Sequence, residues 1–352
     1  MEQIAELGFT AVSVAAVYHS VQAFLPENPR RRWFTTTRSH ANYRPDPTRH
    51  AGLRPPEPLE DGDSFEVVAT TVTAAGLDLT AWIVLLHSSL ASARPELAMR
   101  PLGGPAQPGL LCPSSPAVAE YAASLAREID DRFAPAALDL ETTGWAAVPH
   151  HQHAKVAMPL GASGRFLLSL CFCDACRALA SPDLPAWAAQ RLESEFRGGT
   201  EPVGVDELLA ESAELAAFQA VRESVVLNLI RTIAGAVSAR VHVAHSGEPR
   251  QAGIDYGTLA SVADRIVVLD YGQGGQTPGA TIAEAARLAG ADRIVAGLSV
   301  CAPEAPDEAS FVRAAAAAAA VGVSEISVYN HSLVDSVRLG WARAAGSYAA
   351  RR

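Results

Sequence analysis

ADRIVVLDYG at residues 263–272 and ADRIVAGLSV at residues 291–300 are two versions of one pattern. Each begins with a short polar turn and continues into a run of apolar residues without polar alternation. Continuous hydrophobicity is typical of strands buried on both faces, as in parallel sheets covered by helices. A helical pattern at 282–289 separates the two runs, as in a βαβ unit. Gly290 and Gly322 are expected to end the helices that precede their strands.

The same alternation extends along most of the chain. Seven strands are predicted at 11–19, 79–87, 137–141, 240–245, 265–270, 293–299 and 325–330, and helices at 65–75, 117–132, 213–237, 282–289 and 310–321. An eighth strand is expected at 32–37 or within 166–172. This count favours an α/β fold of the (β/α)8 TIM-barrel type over an open doubly wound sheet, because neither nucleotide-binding glycine motif is present. No nucleotide cofactor is therefore expected.

We expect one barrel domain over residues 1–352, with two long insertions. The first, at about 26–63, is rich in proline and arginine, and the second, at about 144–200, contains the clustered histidines and cysteines. Loops of this length in a compact domain are usually lids or binding loops.

Composition excludes several classes of partner. The chain has 352 residues, of which 49% are hydrophobic and 19% charged, and this describes a globular protein with a large core. A net charge of −10 gives no electrostatic support to a nucleic-acid partner. No apolar stretch is long enough to span a membrane and the first residues lack a secretory signal pattern, so a cytoplasmic protein is expected.

Six of the seven predicted strands end in a histidine, a carboxylate or an asparagine. Barrel active sites lie at the carboxyl ends of the strands, so these side chains are predicted to line one mouth. They are His19, His87, Glu141, His245, Asp270 and Asn330. Trp82 and Tyr271 are aromatic residues near strand ends that are suited to contact with a sugar, as are Tyr18 and Trp145.

Two carboxylates are predicted on one face of the third strand. Asp139 and Glu141 are two residues apart and therefore point to the same side. Glu141 at the rim is the predicted general acid/base, and Asp139, one layer deeper, is predicted to tune or orient it. An ion-paired structural cluster is the alternative. Asp270 is the predicted second carboxylate.

Histidines and the only lysine follow Glu141 within the second insertion. His150, His151 and His153 are candidates for metal ligands with Glu141, for contacts to substrate hydroxyls, or for solvent-facing loop residues. His153 is included among the predicted substrate-binding residues. Lys155 is the single lysine of the chain and is assigned to the same group.

The cysteines predict a metal site. Cys171, Cys173 and Cys176 form a C-x-C-x-x-C cluster, which brings three thiolates within reach of one ion. Tetrahedral zinc requires a fourth ligand, for which Cys112 and Cys301 are both available. Three small buried hydrophobic residues are the alternative.

These motifs resemble barrel glycosidases, including the family-42 β-galactosidases. In that family a glutamate at a strand end acts as acid/base, and a following C-x-C-x-x-C cluster joins an earlier cysteine to bind zinc. The resemblance implies that Glu141 is the acid/base and that Cys112 completes the zinc site. The phrases LCPSSPAVAEY at 111–121 and HHQHAK at 150–155 are also similar to actinobacterial glycosidase-like proteins.

The sequence departs from that family at two positions. The β-galactosidases have Asn-Glu at the acid/base strand, whereas this chain has Leu140-Glu141. Their nucleophile is a glutamate at the seventh strand end, where this chain offers Ser299, so Asp270 is the nearest substitute. The scaffold and the zinc motif therefore match better than the retaining mechanism does.

The leading prediction is a glycosidase-like hydrolase that acts on a small sugar or glycoside, with structural zinc. One alternative is a sugar isomerase, lyase or aldolase that uses a metal at the histidines or a Schiff base at Lys155. The other is a noncatalytic carbohydrate-binding barrel. Carbohydrate is thus the expected partner, and a homo-oligomer is compatible with the sequence.

Overall fold

Strands and helices alternate along the chain in the computed structural model, which describes residues 1–50, 52–59, 63–146, 160–271 and 279–349. The strands of the described part are β1 (Ala11–Tyr18), β2 (Val21–Phe24), β3 (Trp33–Thr36), β4 (His40–Ala41), β5 (Asp78–Val84), β6 (Ala137–Glu141), β7 (Arg240–Ser246), β8 (Arg265–Asp270), β9 (Ile294–Ser299) and β10 (Glu325–Tyr329). The α-helices are α1 (Glu2–Glu6), α2 (Ser64–Ala74), α3 (Leu90–Ala93), α4 (Pro116–Phe133), α5 (Ala162–Ser169), α6 (Asp174–Arg177), α7 (Leu184–Phe196), α8 (Val205–Glu211), α9 (Ala213–Ala234), α10 (Tyr256–Leu259), α11 (Ala280–Ala289), α12 (Glu308–Ala320), α13 (Ser336–Gly340) and α14 (Ala342–Ala349).

The main sheet has eight strands in the order β10-β9-β8-β7-β6-β5-β1-β4. The seven strands from β10 to β1 are parallel, and only the short β4 runs antiparallel, beside β1. The sheet curls into a half-barrel, and at its mouth Tyr18 of β1 and Tyr329 of β10 lie close to each other. The predicted (β/α)8 fold class is confirmed.

The prediction for the eighth strand is wrong in both of its forms. Most of 32–37 forms β3, which pairs with β2 in a separate two-stranded sheet. Most of 166–172 belongs to helix α5 and the turn that follows it. The eighth strand of the main sheet is β4, whose two residues are too short to produce a periodic signal.

Helix ends follow local rules that are visible in the sequence. Helix α4 has Pro116 in its first turn, where a missing N–H costs nothing, and it ends at Ala134 in the left-handed region (φ 43°) before a proline. The Asp307 side chain accepts from the Ser310 N–H and caps α12. Gly290 and Gly322, predicted to close their helices, have φ of 91° and 92°.

Two apolar clusters lie on opposite faces of the sheet. The larger one fills the space between the outer face and the helices. The smaller one lies inside the barrel and consists of Ala244, Val267 and Val295, with Trp82 and Leu269 packed against it. Because strand side chains alternate, membership of this inner cluster fixes which residues of each strand face the barrel interior.

A buried carboxylate on α4 fastens the first insertion to the barrel. The Glu128 side chain is fully buried and accepts from His50 Nε2 at 2.7 Å, from the Asp46 N–H at 2.7 Å and from Arg132 at 3.0 Å. Tyr43 adds a longer bond of 3.4 Å. The proline- and arginine-rich segment is therefore tied down by specific polar bonds at its centre.

The second insertion is helical where it is described. Helices α5, α6 and α7 follow one another there, and the turn between α5 and α6 pairs with the β5–α4 connection through a bridge between Pro101 and Cys171. Within the described ranges, no helix combines the length and the apolar character needed to cross a bilayer.

Candidate active site and candidate metal centre

Glu141 lies at the mouth of the barrel and faces its interior. It is the last residue of β6 and pairs in register with Ala244, a member of the inner cluster. Its carboxylate accepts a hydrogen bond from the Trp82 indole Nε1 at 2.7 Å. Burial raises the pKa of Glu141, although the nearby His19 and the Trp82 bond oppose this shift. The carboxyl group therefore keeps its proton to higher pH than an exposed glutamate does.

Three tyrosines surround this carboxyl group. Tyr18, Tyr271 and Tyr329 follow or end strands β1, β8 and β10, and the ring centroids of Tyr271 and Tyr329 are 5.4 Å apart. Burial raises the pKa of each phenol, and the charge of Glu141 raises it further. These phenols consequently stay protonated and act as hydrogen-bond donors beside Glu141.

Two of the predicted histidines meet at the same rim. The His19 and His87 rings stack with centroids 4.4 Å apart, and His19 also stacks on Tyr18 at 4.3 Å. The structure therefore brings together His19, Trp82, His87, Glu141 and Tyr271, five of the predicted site residues.

Asp139 lies one layer deeper in a buried polar cluster. Its carboxylate accepts from Ser13 Oγ at 2.5 Å and contacts His242 Nδ1 at 3.0 Å. His242 Nε2 is buried and has no hydrogen-bond partner within the described residues. Asp139 is thus held by two partners on the face that Glu141 shares, as the spacing predicted.

Asp270 lies on the opposite face of the sheet from Glu141. Its neighbour Leu269 packs against the inner cluster, so Asp270 points outward, and its register partner Leu298 belongs to the outer core. The carboxylate accepts from the Gly279 N–H at 2.6 Å, just before α11, and lines a cavity with Phe311 of α12. The structure does not bring the two predicted carboxylates together.

Two other predicted site residues, His245 and Asn330, lie in different surroundings from each other. His245 adjoins the inward Ala244 and therefore points outward, where it packs edge-on against Tyr256 with centroids 6.3 Å apart. Burial lowers the pKa of His245 to about 4. Asn330 lies at the rim, and its side chain accepts from the Ser332 N–H at 2.8 Å.

Sequence reasoning missed three residues that this site contains, namely Ser13, His242 and Tyr329. His242 interrupts the apolar run between Val241 and Ala244, and this was the available signal, because a polar side chain in a buried strand needs a partner. Choosing only the terminal residue of each strand selected His245 in place of His242, and Asn330 in place of Tyr329.

His150, His151, His153 and Lys155 lie outside the described residues. Their roles as metal ligands, substrate contacts or a Schiff-base amine therefore stay predictions.

Four cysteines form one buried cluster beside the barrel. Cys112, Cys171, Cys173 and Cys176 are all buried, and their sulfur atoms lie within 4.8 Å of one another. Of the two candidates for a fourth ligand, Cys112 is therefore the one that joins the motif. Cys301 lies elsewhere, with its sulfur 3.8 Å from the carbonyl oxygen of Tyr329.

The geometry of this cluster suits a tetrahedral metal ion. Cys112 Sγ is 3.4 Å from Cys176 Sγ and 3.9 Å from Cys171 Sγ. Zinc–sulfur bonds of about 2.3 Å place tetrahedral ligands about 3.8 Å apart. Hydrogen bonds among the sulfurs lower the pKa of Cys173 and raise that of Cys112, since a thiolate at one position is stabilised by thiols at the others. The cluster could hold a metal.

Solved structures to which this chain is similar include glycoside hydrolases. No protein-family model and no curated protein matches the chain. The PgaB (BpsB) glycoside hydrolase domain from Bordetella bronchiseptica aligns with a TM-score of 0.61 at 14% identity, over 97% of this chain and 90% of that one. The catalytic domain of β-amylase from Paenibacillus polymyxa aligns with a TM-score of 0.62 at 13% identity, over 99% and 93%.

A β-galactosidase from Marinomonas ef1 is also similar, with a TM-score of 0.58 at 10% identity over 98% of this chain and 56% of that chain. Identities this low establish the fold and leave the activity to be argued from the site. The chain therefore has a glycoside-hydrolase-like barrel fold.

Proposed function

We propose that this protein is a glycosidase-like hydrolase that acts on a small sugar or glycoside, with Glu141 as its general acid/base. The observation that supports this most directly is the raised pKa of Glu141, a partly buried residue that faces the barrel interior at its mouth. A carboxylic acid with a raised pKa keeps its proton to higher pH and can donate that proton to the oxygen of a leaving group.

The side chains around Glu141 suit a carbohydrate. Tyrosine and histidine side chains can donate or accept hydrogen bonds with sugar hydroxyls, and their rings offer apolar surface. The Trp82 indole orients the Glu141 carboxylate through its 2.7 Å bond. Asp139 lies one layer below Glu141 in the barrel interior, and its contacts with Ser13 and His242 fix the position of its carboxyl group.

The second carboxylate is the open part of the mechanism. Most glycosidases pair two carboxyl groups across the scissile bond, but some use a tyrosine or a group of the substrate. The outward direction of Asp270 does not support a joint role with Glu141, and the raised pKa of the three phenols opposes a tyrosinate nucleophile. The proposal therefore rests on Glu141.

We also propose that Cys112, Cys171, Cys173 and Cys176 hold a structural zinc ion. The sulfur spacing and the burial of all four residues support this assignment. Four protein ligands leave no open coordination position, so zinc here would stabilise the fold and take no part in the reaction.

Leaving-group dependence tests the role of Glu141. Wild type and Glu141→Gln are compared on alkyl glycosides and on dinitrophenyl glycosides that have the same sugar. Loss of a general acid is expected to slow alkyl glycosides by about 100-fold or more. The cleavage of the glycosidic bond in dinitrophenyl glycosides is expected to slow far less, because their leaving group needs no proton.

Glu193→Gln is the matched control, since Glu193 is exposed on α7 and forms a surface ion pair with Arg197 at the end of that helix. It should leave both substrates unaffected. Equal kcat/KM for wild type and Glu141→Gln on an alkyl glycoside would contradict the proposal.

A noncatalytic carbohydrate-binding barrel is the second candidate, and the placement of Asp270 favours it. It predicts glycan binding by calorimetry without turnover, and binding that Glu141→Gln preserves. The Schiff-base alternative predicts borohydride trapping of a carbonyl substrate that Lys155→Ala abolishes. Cytoplasmic location and homo-oligomer formation stay predictions of the sequence.

A further inference from the structure

Arg222 of α9 is a fully buried cation whose described hydrogen bonds all go to neutral groups. It has no exposed surface, and it donates to Gln219 Oε1 at 2.7 Å, to the Gln251 carbonyl at 2.5 Å and to the Arg250 carbonyl at 3.3 Å. Its Nε has no partner within the described residues. A buried charge is expensive unless an opposite charge lies close by.

The charge of Glu223 acts on Arg222 from nearby, but it does so without an ion pair between the two side chains. Among the described residues no aspartate or glutamate forms an ion pair with Arg222, whereas the other buried arginine, Arg191, pairs with Glu195 and Glu211. Glu223, the next residue, is bonded to the Gln219 amide instead, at 2.8 Å. The undescribed segment 147–159 contains no acidic residue.

The cysteine cluster lies next to Arg222. One turn earlier on α9, Phe218 stacks on Phe172, which lies between two cysteines of the cluster, with ring centroids 6.1 Å apart. Phe166, which contacts the Arg222 guanidinium at 5.6 Å, belongs to the helix that leads into Cys171. Burial lowers the pKa of Arg222 to about 10, and negative charge on Cys176, Cys171, Glu223 and Cys112 opposes this shift.

We propose that Arg222 is the counter-charge of the four-cysteine metal site and that it couples this site to the loop that follows Glu141. Four thiolates and one Zn²⁺ carry a net charge of −2, whereas four thiols carry none. Metal binding therefore creates the anion that a buried Arg222 needs, and Arg222 in turn stabilises the charged site. This inference rests on the proposed zinc ion.

The connection to the active site runs through Trp145. The Arg222 guanidinium lies over the Trp145 ring at 4.8 Å, and Trp145 is four residues beyond Glu141. A Cβ added at Gly253 would lie 2.8 Å from the Trp145 ring, so the indole is held between this glycine and α9. Arg222 is thus a positioning residue that links the metal site to the end of β6.

Metal affinity tests the proposal in the full-length protein. Zinc content is measured by elemental analysis, and zinc affinity by competition with a chromophoric chelator, for wild type, Arg222→Met and Arg222→Lys. Loss of a supporting partner usually weakens metal binding by 10- to 100-fold, so Arg222→Met is expected to lose about that much. Arg222→Lys keeps the charge and is expected to recover a large part of the affinity.

Arg191→Met is the matched control, because it removes a buried arginine that has carboxylate partners away from the cysteines. It is expected to lower Tm and leave zinc affinity unchanged. If Arg222→Met does not fold, the Co²⁺-substituted Arg222→Gln protein, which can still form hydrogen bonds but lacks the charge, is compared with wild type. A displaced thiolate-to-cobalt absorption band supports the coupling, and an unchanged band contradicts it.

The outcomes separate the two proposals. Wild type without stoichiometric metal overturns the zinc site, and the role of Arg222 with it, but leaves the Glu141 proposal intact. Wild type that holds zinc, with an Arg222→Met affinity within twofold of it, overturns the role of Arg222 alone.

Discussion

Replacing Glu128 by glutamine should weaken the polar contacts between α4 and the first insertion and measurably lower the free energy of unfolding. Glutamine keeps the shape and one acceptor oxygen but removes the charge that His50 and Arg132 contact at 2.7 and 3.0 Å. Breaking a buried charge pair by removing one partner costs about 3–5 kcal/mol. Because the Asp46 N–H can still be satisfied, we expect the lower end, about 3 kcal/mol.

Urea unfolding followed by circular dichroism measures this change. With a slope of about 3 kcal/mol/M, the midpoint should fall by about 1 M urea while the slope stays the same. Glu193→Gln on the surface should leave the midpoint in place.

The cost should also depend on pH in a defined direction. Burial alone would raise the pKa of Glu128, but the bonds from His50, the Asp46 N–H and Arg132 outweigh it and lower the pKa. A lowered pKa stabilises the fold above the unfolded value, about 4.3, and this contribution is lost as the pH falls further. The difference between wild type and Glu128→Gln should therefore shrink below about pH 4. A cost under about 1 kcal/mol at pH 7, or the same cost at pH 3, would refute this reasoning.

Three further substitutions test individual contacts. Trp82→Phe removes the hydrogen bond that favours ionised Glu141, so the basic limb of the kcat/KM profile should move to higher pH, and an unmoved limb would contradict the assignment. Asp270→Ala removes the acceptor of the Gly279 N–H, so it should lower the free energy of unfolding by about 1 kcal/mol in thermal unfolding while turnover is retained. A loss of several orders of magnitude in kcat would instead make Asp270 the second carboxylate. Gly253 has a φ of 71°, and the Cβ of an alanine there would lie 2.8 Å from the Trp145 ring. Gly253→Ala should therefore lower the free energy of unfolding, measured in urea, by about 1–3 kcal/mol. The control is Gly346→Ala, whose Cβ would have no atom within 4 Å and which should leave the free energy of unfolding unchanged.

The sequence by itself determined seven of the eight strands of the main sheet and the chemistry of its clusters. Buried parallel strands are continuous apolar runs, and β6 and β8 begin and end where the pattern predicted. The spacing of Asp139 and Glu141 fixed their common face, since strand side chains alternate with a period of two. The cysteine motif likewise defined three candidate metal ligands.

Only the tertiary structure decided which strand-end residues meet. Asp270 ends β8 as Glu141 ends β6, and His245 is the last residue but one of β7. The register of their strands turns both outward, and register between strands depends on long-range pairing. The choice of Cys112 over Cys301, and the burial of Arg222 beside the cysteines, depend on contacts between segments far apart in the chain. The local sequence pattern specifies the helices and strands of this protein, whereas the face of the sheet on which each side chain lies follows from how the strands pair.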